Sequence, residues 1–84
     1  MPYSIVDLAP TDSFVTAYDR AHVATYLRLL DAAASHTAWE ESARTLLGID
    51  ASVEPDRASR CYESHLARAR WIVNQGYRHV LREP

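Results

Sequence analysis

Cys61 and His65 stand four residues apart, a spacing that puts a thiol and an imidazole on one side of a helix, as a metal-ligand pair requires. A structural zinc site takes four such ligands, and no second pair exists: His36 and His79 have no partner at ligand spacing. Both Cys61 and His65 also fall within an apolar arc, which points to a packed thiol and a buried, hydrogen-bonded imidazole. Ser64, His65 and an acid are the residue types of a hydrolytic triad. Adjacent helical residues point about 100° apart, so Ser64 and His65 are not expected to face each other. A glycine-rich phosphate loop and a nucleophile elbow are both missing from the sequence. The expectation is a chain with no catalytic residue, no metal ligand and no cofactor, and therefore not an enzyme.

Phosphate binding is the other chemistry on offer. Arg57, Arg60, Ser64 and Arg68 share one side of a helix, and Arg70 lies close by. In a helix-turn-helix that side enters the major groove. The charge argues against it. The chain holds 9 arginines, no lysine and 11 acids, a net charge of −2. Residues 1–63 carry 10 acids against 5 arginines, a balance of −5, and residues 64–84 carry 4 arginines against 1 acid, a balance of +3. DNA binders draw their affinity largely from neutralised phosphates and usually show a basic excess. Here Asp56 and Glu63 sit within pairing distance of Arg60, and Glu54 adds negative charge at the helix start. These arginines read first as a solvated, ion-paired surface, and as DNA contacts only under the alternative of a small transcription factor or excisionase-like protein.

Helices must position these side chains. A chain of 84 residues makes one domain, and burying about two thirds of its unfolded surface leaves a thin core. Its 48% apolar and 24% charged composition is that of a globular protein. Two glycines and four prolines leave few turns for a sheet. The longest apolar runs are too short to span a membrane, and Met1-Pro2-Tyr3-Ser4 has no basic region of a secretory signal. A single cysteine cannot form an internal disulfide, which suits a reducing cytoplasm.

Residues 1–17 read as an extended arm laid over the helices, because Pro2 and Pro10 oppose helix while Ile5, Val6 and Leu8 are apolar. Residues 18–84 read as the folded domain. The first helix is expected over 18–34, opened by a capping box at Thr16-Ala17-Tyr18-Asp19. Val23, Tyr26, Leu27, Leu30 and Ala34 make its apolar stripe. Thr25, Leu29 and Ala33 fall off that stripe, where they are either covered by the arm or form a partner-binding patch. The second helix, 38–47, is expected to start with a capping box from Thr37 to Glu40, to bury Trp39, Ala43, Leu46 and Leu47, and to stop at Gly48. Residues 48–54 form a long turn that Ile49 and Val53 can pin. Pro55 opens the third helix, which runs to Gln75. Its core arc holds Ala58, Cys61, Tyr62, His65, Leu66, Ala69, Ile72 and Val73, and Trp71 stands out among polar neighbours. A last turn over 77–82 brings Val80 and Leu81 back toward the bundle. The fold class is all-α: a bundle of three main helices plus a C-terminal turn, a helix-turn-helix with an extended turn.

Three segments in this order carry a family likeness: Tyr26-Leu27-Arg28-Leu29-Leu30-Asp31-Ala32, Leu46-Leu47-Gly48-Ile49-Asp50, and Ser64-His65-Leu66-Ala67-Arg68-Ala69-Arg70-Trp71 with Gly76-Tyr77-Arg78. Over residues 18–82 the chain resembles the RovC-like DNA-binding domain family of proteobacteria. The resemblance implies an extended-turn helix-turn-helix. Larger members of that family are transcriptional activators on mobile elements, with a separate domain ahead of this one, whereas here only residues 1–17 precede the match. The resemblance therefore implies a stand-alone antiactivator of conjugative-element transfer. It would bind the activator's N-terminal domain in place of the activator's own C-terminal domain. A LuxR-type quorum-sensing activator is a second expected target. The partner is thus a protein, with neither nucleic acid nor membrane, and the free chain is expected to be a monomer. No contact residues transfer with the resemblance. From the residues themselves the partner-binding candidates are Thr25, Leu29, Ala33 and Trp71.

Overall fold

The computed structural model describes residues 4–76, with side chains over 4–74, and among them every regular element is helical. Helix α1 is Ala17–Ala21, α2 is Val23–Ala34, α3 is Trp39–Leu47 and α4 is Pro55–Trp71, which continues into a π-helical turn, Ile72–Gly76. The expected turn over 77–82 lies outside the described residues. The chain thus forms a small all-α bundle, in which α2 and α3 both pack on α4.

The single helix expected over 18–34 is two helices. Thr16 caps α1, its hydroxyl accepting from the Asp19 N–H while the Asp19 side chain accepts from the Thr16 N–H. His22, at φ −117 and ψ 22, then interrupts the run. The interruption falls where buried polar groups, Asp19 and His22, stand in place of apolar ones.

The buried face of α2 also differs from the expected stripe. Leu29 is fully buried and Tyr26 nearly so, whereas Val23 is 45% and Leu27 is 56% exposed. At about 100° per residue, the Tyr26–Leu29 face lies roughly 110° around the helix from the Val23–Leu27 pair. The reason is that polar residues share the buried side. His22 is buried and Thr25 half-buried there, so a pattern read from apolar residues alone settles on the wrong face.

Helix α2 ends in a Schellman motif. The Thr37 N–H reaches the Ala32 carbonyl at 2.9 Å and the His36 N–H reaches the Ala33 carbonyl at 3.2 Å, with His36 left-handed at φ 61. Thr37 is thereby used to finish α2 and does not cap α3. Ala38 is the N-cap, without a side-chain bond, and this corrects the Thr37–Glu40 capping box. Gly48 ends α3 in the left-handed conformation at φ 75, as expected. In the 48–54 connection the Asp50 carboxylate accepts from the Ser52 N–H and hydroxyl at 2.9 and 2.6 Å. That turn buries Ile49 and leans Ala51 on the core, but leaves Val53 72% exposed instead of tucked in. Pro55 opens α4 at its first turn.

The apolar centre joins Leu29, Ala43, Leu47, Ile49, Ala58, Cys61 and Leu66, with Ile5, Leu30, Ala33, Trp39, Leu46 and Tyr62 packed around it. Along α4 the expected core arc holds for Ala58, Cys61, His65, Leu66 and Ala69, while Val73 is exposed.

Candidate functional site

The side of α4 that carries Arg57, Cys61, Ser64 and Arg68 is covered by the N-terminal segment. The Asp7 carboxylate accepts from Arg57 Nε at 2.9 Å, the Ala9 N–H donates to Ser64 Oγ at 3.0 Å, and the Cys61 thiol donates to the Val6 carbonyl at 3.5 Å. Arg68 donates to the carbonyls of Asp12 at 2.6 Å and Phe14 at 2.9 Å.

Arg68 is the largest departure from the sequence reading. The helical spacing groups it with Arg57, Arg60 and Ser64 on the side offered for DNA contact, yet it is 5% exposed. Its Nε and Nη2 grip both oxygens of Asp19, at 3.1 and 2.7 Å, and Asp19 is fully buried. Asp19 also accepts from the Tyr26 hydroxyl at 2.7 Å and from Thr16 N–H at 2.8 Å. Burial raises the carboxyl's pKa, but the bonds from Arg68, Thr16 and Tyr26 outweigh it and hold the group at about 2. The same burial, with the Asp19 charge, pushes the Tyr26 hydroxyl well above its usual value. This pair is structural: Asp19 neutralises the Arg68 guanidinium inside the fold, and so little of it is exposed that it is not available to a phosphate.

The other arginines divide. Arg57 is held between Asp7 and Glu54, whose oxygens lie 2.9 and 3.1 Å from its guanidinium. Asp56 and Glu63, expected to pair with Arg60, make no ion pair with it among the described residues. Arg60 and Arg70 are exposed.

His65 is fully buried. The Cys61 carbonyl, 2.7 Å from Nδ1, can only accept, so Nδ1 carries the hydrogen and Nε2 accepts from the Tyr18 hydroxyl at 2.7 Å. Tyr18 in turn accepts from the Val6 N–H at 3.1 Å. Burial pulls the imidazole pKa below its ordinary value, against the Cys61 bond, which raises it. Ser64 Oγ approaches His65 Nδ1 to 3.4 Å, closer than the 100° argument implied. Both groups converge on the Cys61 carbonyl, which Ser64 reaches at 3.2 Å. Since Nδ1 already bears a hydrogen, it has no lone pair to take the Ser64 proton. Among the described residues no three His, Cys, Asp or Glu side chains group to hold a metal ion. No helix among them is long and apolar enough to cross a membrane.

The partner-binding candidates separate as well. Leu29 is at the centre of the core, Ala33 packs against that core and Thr25 is half-buried, so of the two readings of these residues the covered one holds and they form no exposed patch. The exposed apolar pair on α2 is Val23 and Leu27. Trp71 is half-buried, with the Arg68 guanidinium 4.2 Å over its ring. The Asp19–Arg68 pair itself was not anticipated. Asp19 was legible as a capping residue, but nothing local tells that its second oxygen faces an arginine 49 positions on.

No family model matches this chain, and neither does any curated protein.

Proposed function

We infer that this protein is an antiactivator, a small helical module that binds a transcriptional activator of mobile-element transfer and lowers its activity without holding DNA. One observation carries the second half of that reading: the chain's own N-terminal segment lies on the helix side that would enter the major groove, with Arg57 on Asp7 and Arg68 on the carbonyls of Asp12 and Phe14, while Asp19 of α1 takes the Arg68 charge. Only Arg60 and Arg70 remain as exposed, unpaired cations of the four candidates among the described residues. The net charge of −2 agrees, because a mimic that keeps protein contacts while losing phosphate contacts has no need of a basic excess.

The first half rests on the family resemblance, to QseM-like stand-alone antiactivators in particular. In this reading the protein works in the cytoplasm, as a monomer when free. It occupies the activator's N-terminal domain and displaces the tethered C-terminal domain. Tethering gives that competitor an effective concentration of roughly mM, so the inhibitor must bind tightly or be abundant. A LuxR-type regulator is the second target. With Leu29 buried, the anchors become Val23 and Leu27 on α2, with Trp71 third.

Binding to the isolated N-terminal domain of the activator tests this. Leu27→Glu should weaken it by about 1–3 kcal/mol, as the loss of an interface anchor does. Binding to the activator's DNA-binding domain instead, or a specific DNA shift at nanomolar protein in physiological salt, would replace this reading with that of a small helix-turn-helix DNA-binding factor.

A further inference from the structure

The segment along α4 makes the contacts of a bound peptide. Residues 4–14 contain no helix or strand. Ile5 leans on the core at one end, and from Val6 onward they hold on through backbone groups, one carboxylate and one small side chain. The Val6 carbonyl takes the Cys61 thiol hydrogen, the Ala9 N–H meets Ser64 Oγ, and the Asp12 and Phe14 carbonyls meet Arg68. Asp7 sits on Arg57, and Ala9 is buried at 6% exposure. The receiving residues, 57, 61, 64 and 68, recur at helical spacing and make one stripe. Val6, Leu8 and Phe14 meanwhile turn apolar side chains to solvent. A cover selected only to close the core would not spend three of its four large apolar side chains outward and only Ile5 inward.

We propose that this stripe of α4 is a groove for an extended acidic peptide, filled in cis by the chain's own arm, and that a partner's segment of the same chemistry takes the arm's place. The ligand is defined by what the arm presents: a carboxylate for Arg57, and two residues later a small side chain with a free N–H for Ser64. A protein segment fits better than nucleic acid. Arg68 is fixed on Asp19 and aims its remaining hydrogens at backbone carbonyls, so it selects a peptide and cannot swing to a phosphate. The arm is also replaceable. Its one ion pair among the described residues is between side chains 46% and 62% exposed, where such pairs add little. It is a poor ligand in one respect as well: Leu8 borders an open cleft with Asp7, Arg57 and Arg60, and Arg60 has no acid partner among the described residues. A peptide with an acid at the Leu8 place answers that charge. This groove is independent of which activator the protein inhibits.

The test uses the full chain and a fluorescent peptide with the sequence of residues 4–14 carrying Leu8→Glu. Against the wild type the tethered arm competes at roughly mM effective concentration, so anisotropy should show weak binding. Ala9→Asp in the full chain loosens the arm without touching the groove, and should tighten peptide binding by about tenfold or more, since the cis competitor is lost. Adding Arg57→Asp should abolish that gain, and a peptide with Asp7→Arg should restore it. If Ala9→Asp fails to hold its helical signal, Asp7→Asn at its exposed position gives the same direction with a smaller gain. Equal affinity for the wild type and the loosened chain, no rescue by the charge swap, or a loosened chain that captures duplex DNA and ignores the peptide would each overturn the proposal.

Discussion

On one side, α4 meets apolar matter: Ala58 and Leu66 pack with Leu29 of α2, and with Ala43 and Leu47 of α3. On the other it meets polar matter, with Arg68 on Asp19, His65 on Tyr18, and Ser64 and Cys61 on the backbone of the arm. Both sides are buried, but they are held by different physics. The apolar side is stabilised in proportion to area and tolerates neighbours of similar volume. The polar side depends on complete pairing, since a buried charge that loses its partner keeps its desolvation cost. The first therefore acts as a core, and the second acts as a latch that fixes where α1 and the arm lie on α4.

The sharpest way to break this comparison is to remove half of the buried pair. Asp19→Asn leaves the Arg68 guanidinium buried without its counter-charge and should cost about 3–5 kcal/mol in urea unfolding. Replacing both partners, Asp19→Leu with Arg68→Met, should cost less than either single change, because no charge is then stranded. A single-variant loss under about 1 kcal/mol would mean that water reaches the pair and that the polar side is no latch.

On the apolar side, Leu29→Ala should cost about 2–5 kcal/mol, the range for deleting a fully buried leucine. It should also leave the contacts of Arg68 unchanged, as seen in an unaltered downfield Tyr26 hydroxyl or Arg68 Nε–H resonance. A small loss would return Leu29 to the surface role that the sequence suggested.

The two sides also differ in pH response, which only the polar side has. His65 is neutral in the fold, with its pKa lowered by burial. The unfolded chain takes the proton first, so this contribution is complete above the unfolded value near ~6.5 and is lost as pH falls below it, by at most about 1.4 kcal/mol per pH unit. Asp19 titrates at about 2 in the fold. Its contribution is present above its unfolded value near ~3.9 and is lost as pH falls from there toward its folded value. Melting temperature against pH should therefore show two descending limbs. His65→Gln should flatten the limb between pH 7 and 5 and leave the acid one, and Asp19→Asn should do the reverse. A profile that His65→Gln leaves unchanged would place a charged imidazole in the fold.

What the sequence made legible follows the same division. The α4 arc from Ala58 to Ala69 was readable because its apolar residues recur at helical spacing, and the Gly48 stop because only a glycine sits easily at φ 75. The buried face of α2 was not, because His22 and Thr25 lie on it and Leu27 and Val23 lie off it. Arg68 was not, because a helix wheel ranks it with Arg57 and Arg60, and its partner comes from a distant helix. The Thr25, Leu29 and Ala33 patch failed for the same reason: a partner patch inferred from residues off the apolar stripe is only as good as the stripe.

The smallest expected effect concerns backbone signals, where the apolar side holds a matched pair. Both α2 and α3 end in a left-handed residue, His36 at φ 61 and Gly48 at φ 75. Glycine reaches that conformation without a Cβ penalty, whereas another L-residue bears about 1–2 kcal/mol. His36 is exposed, so its side chain has little burial to offset that strain. His36→Gly should therefore stabilise the fold, by about 0.5–1 kcal/mol once the extra freedom of glycine in the unfolded chain is subtracted. Gly48→Ala should destabilise it by about 1 kcal/mol, and since nothing lies within 4 Å of an added Cβ, that loss is backbone strain alone. Paired urea titrations decide it. If His36→Gly destabilises, the left-handed turn before α3 is held by the imidazole itself, and the end of α2 belongs with the polar contacts of this protein rather than with its backbone geometry.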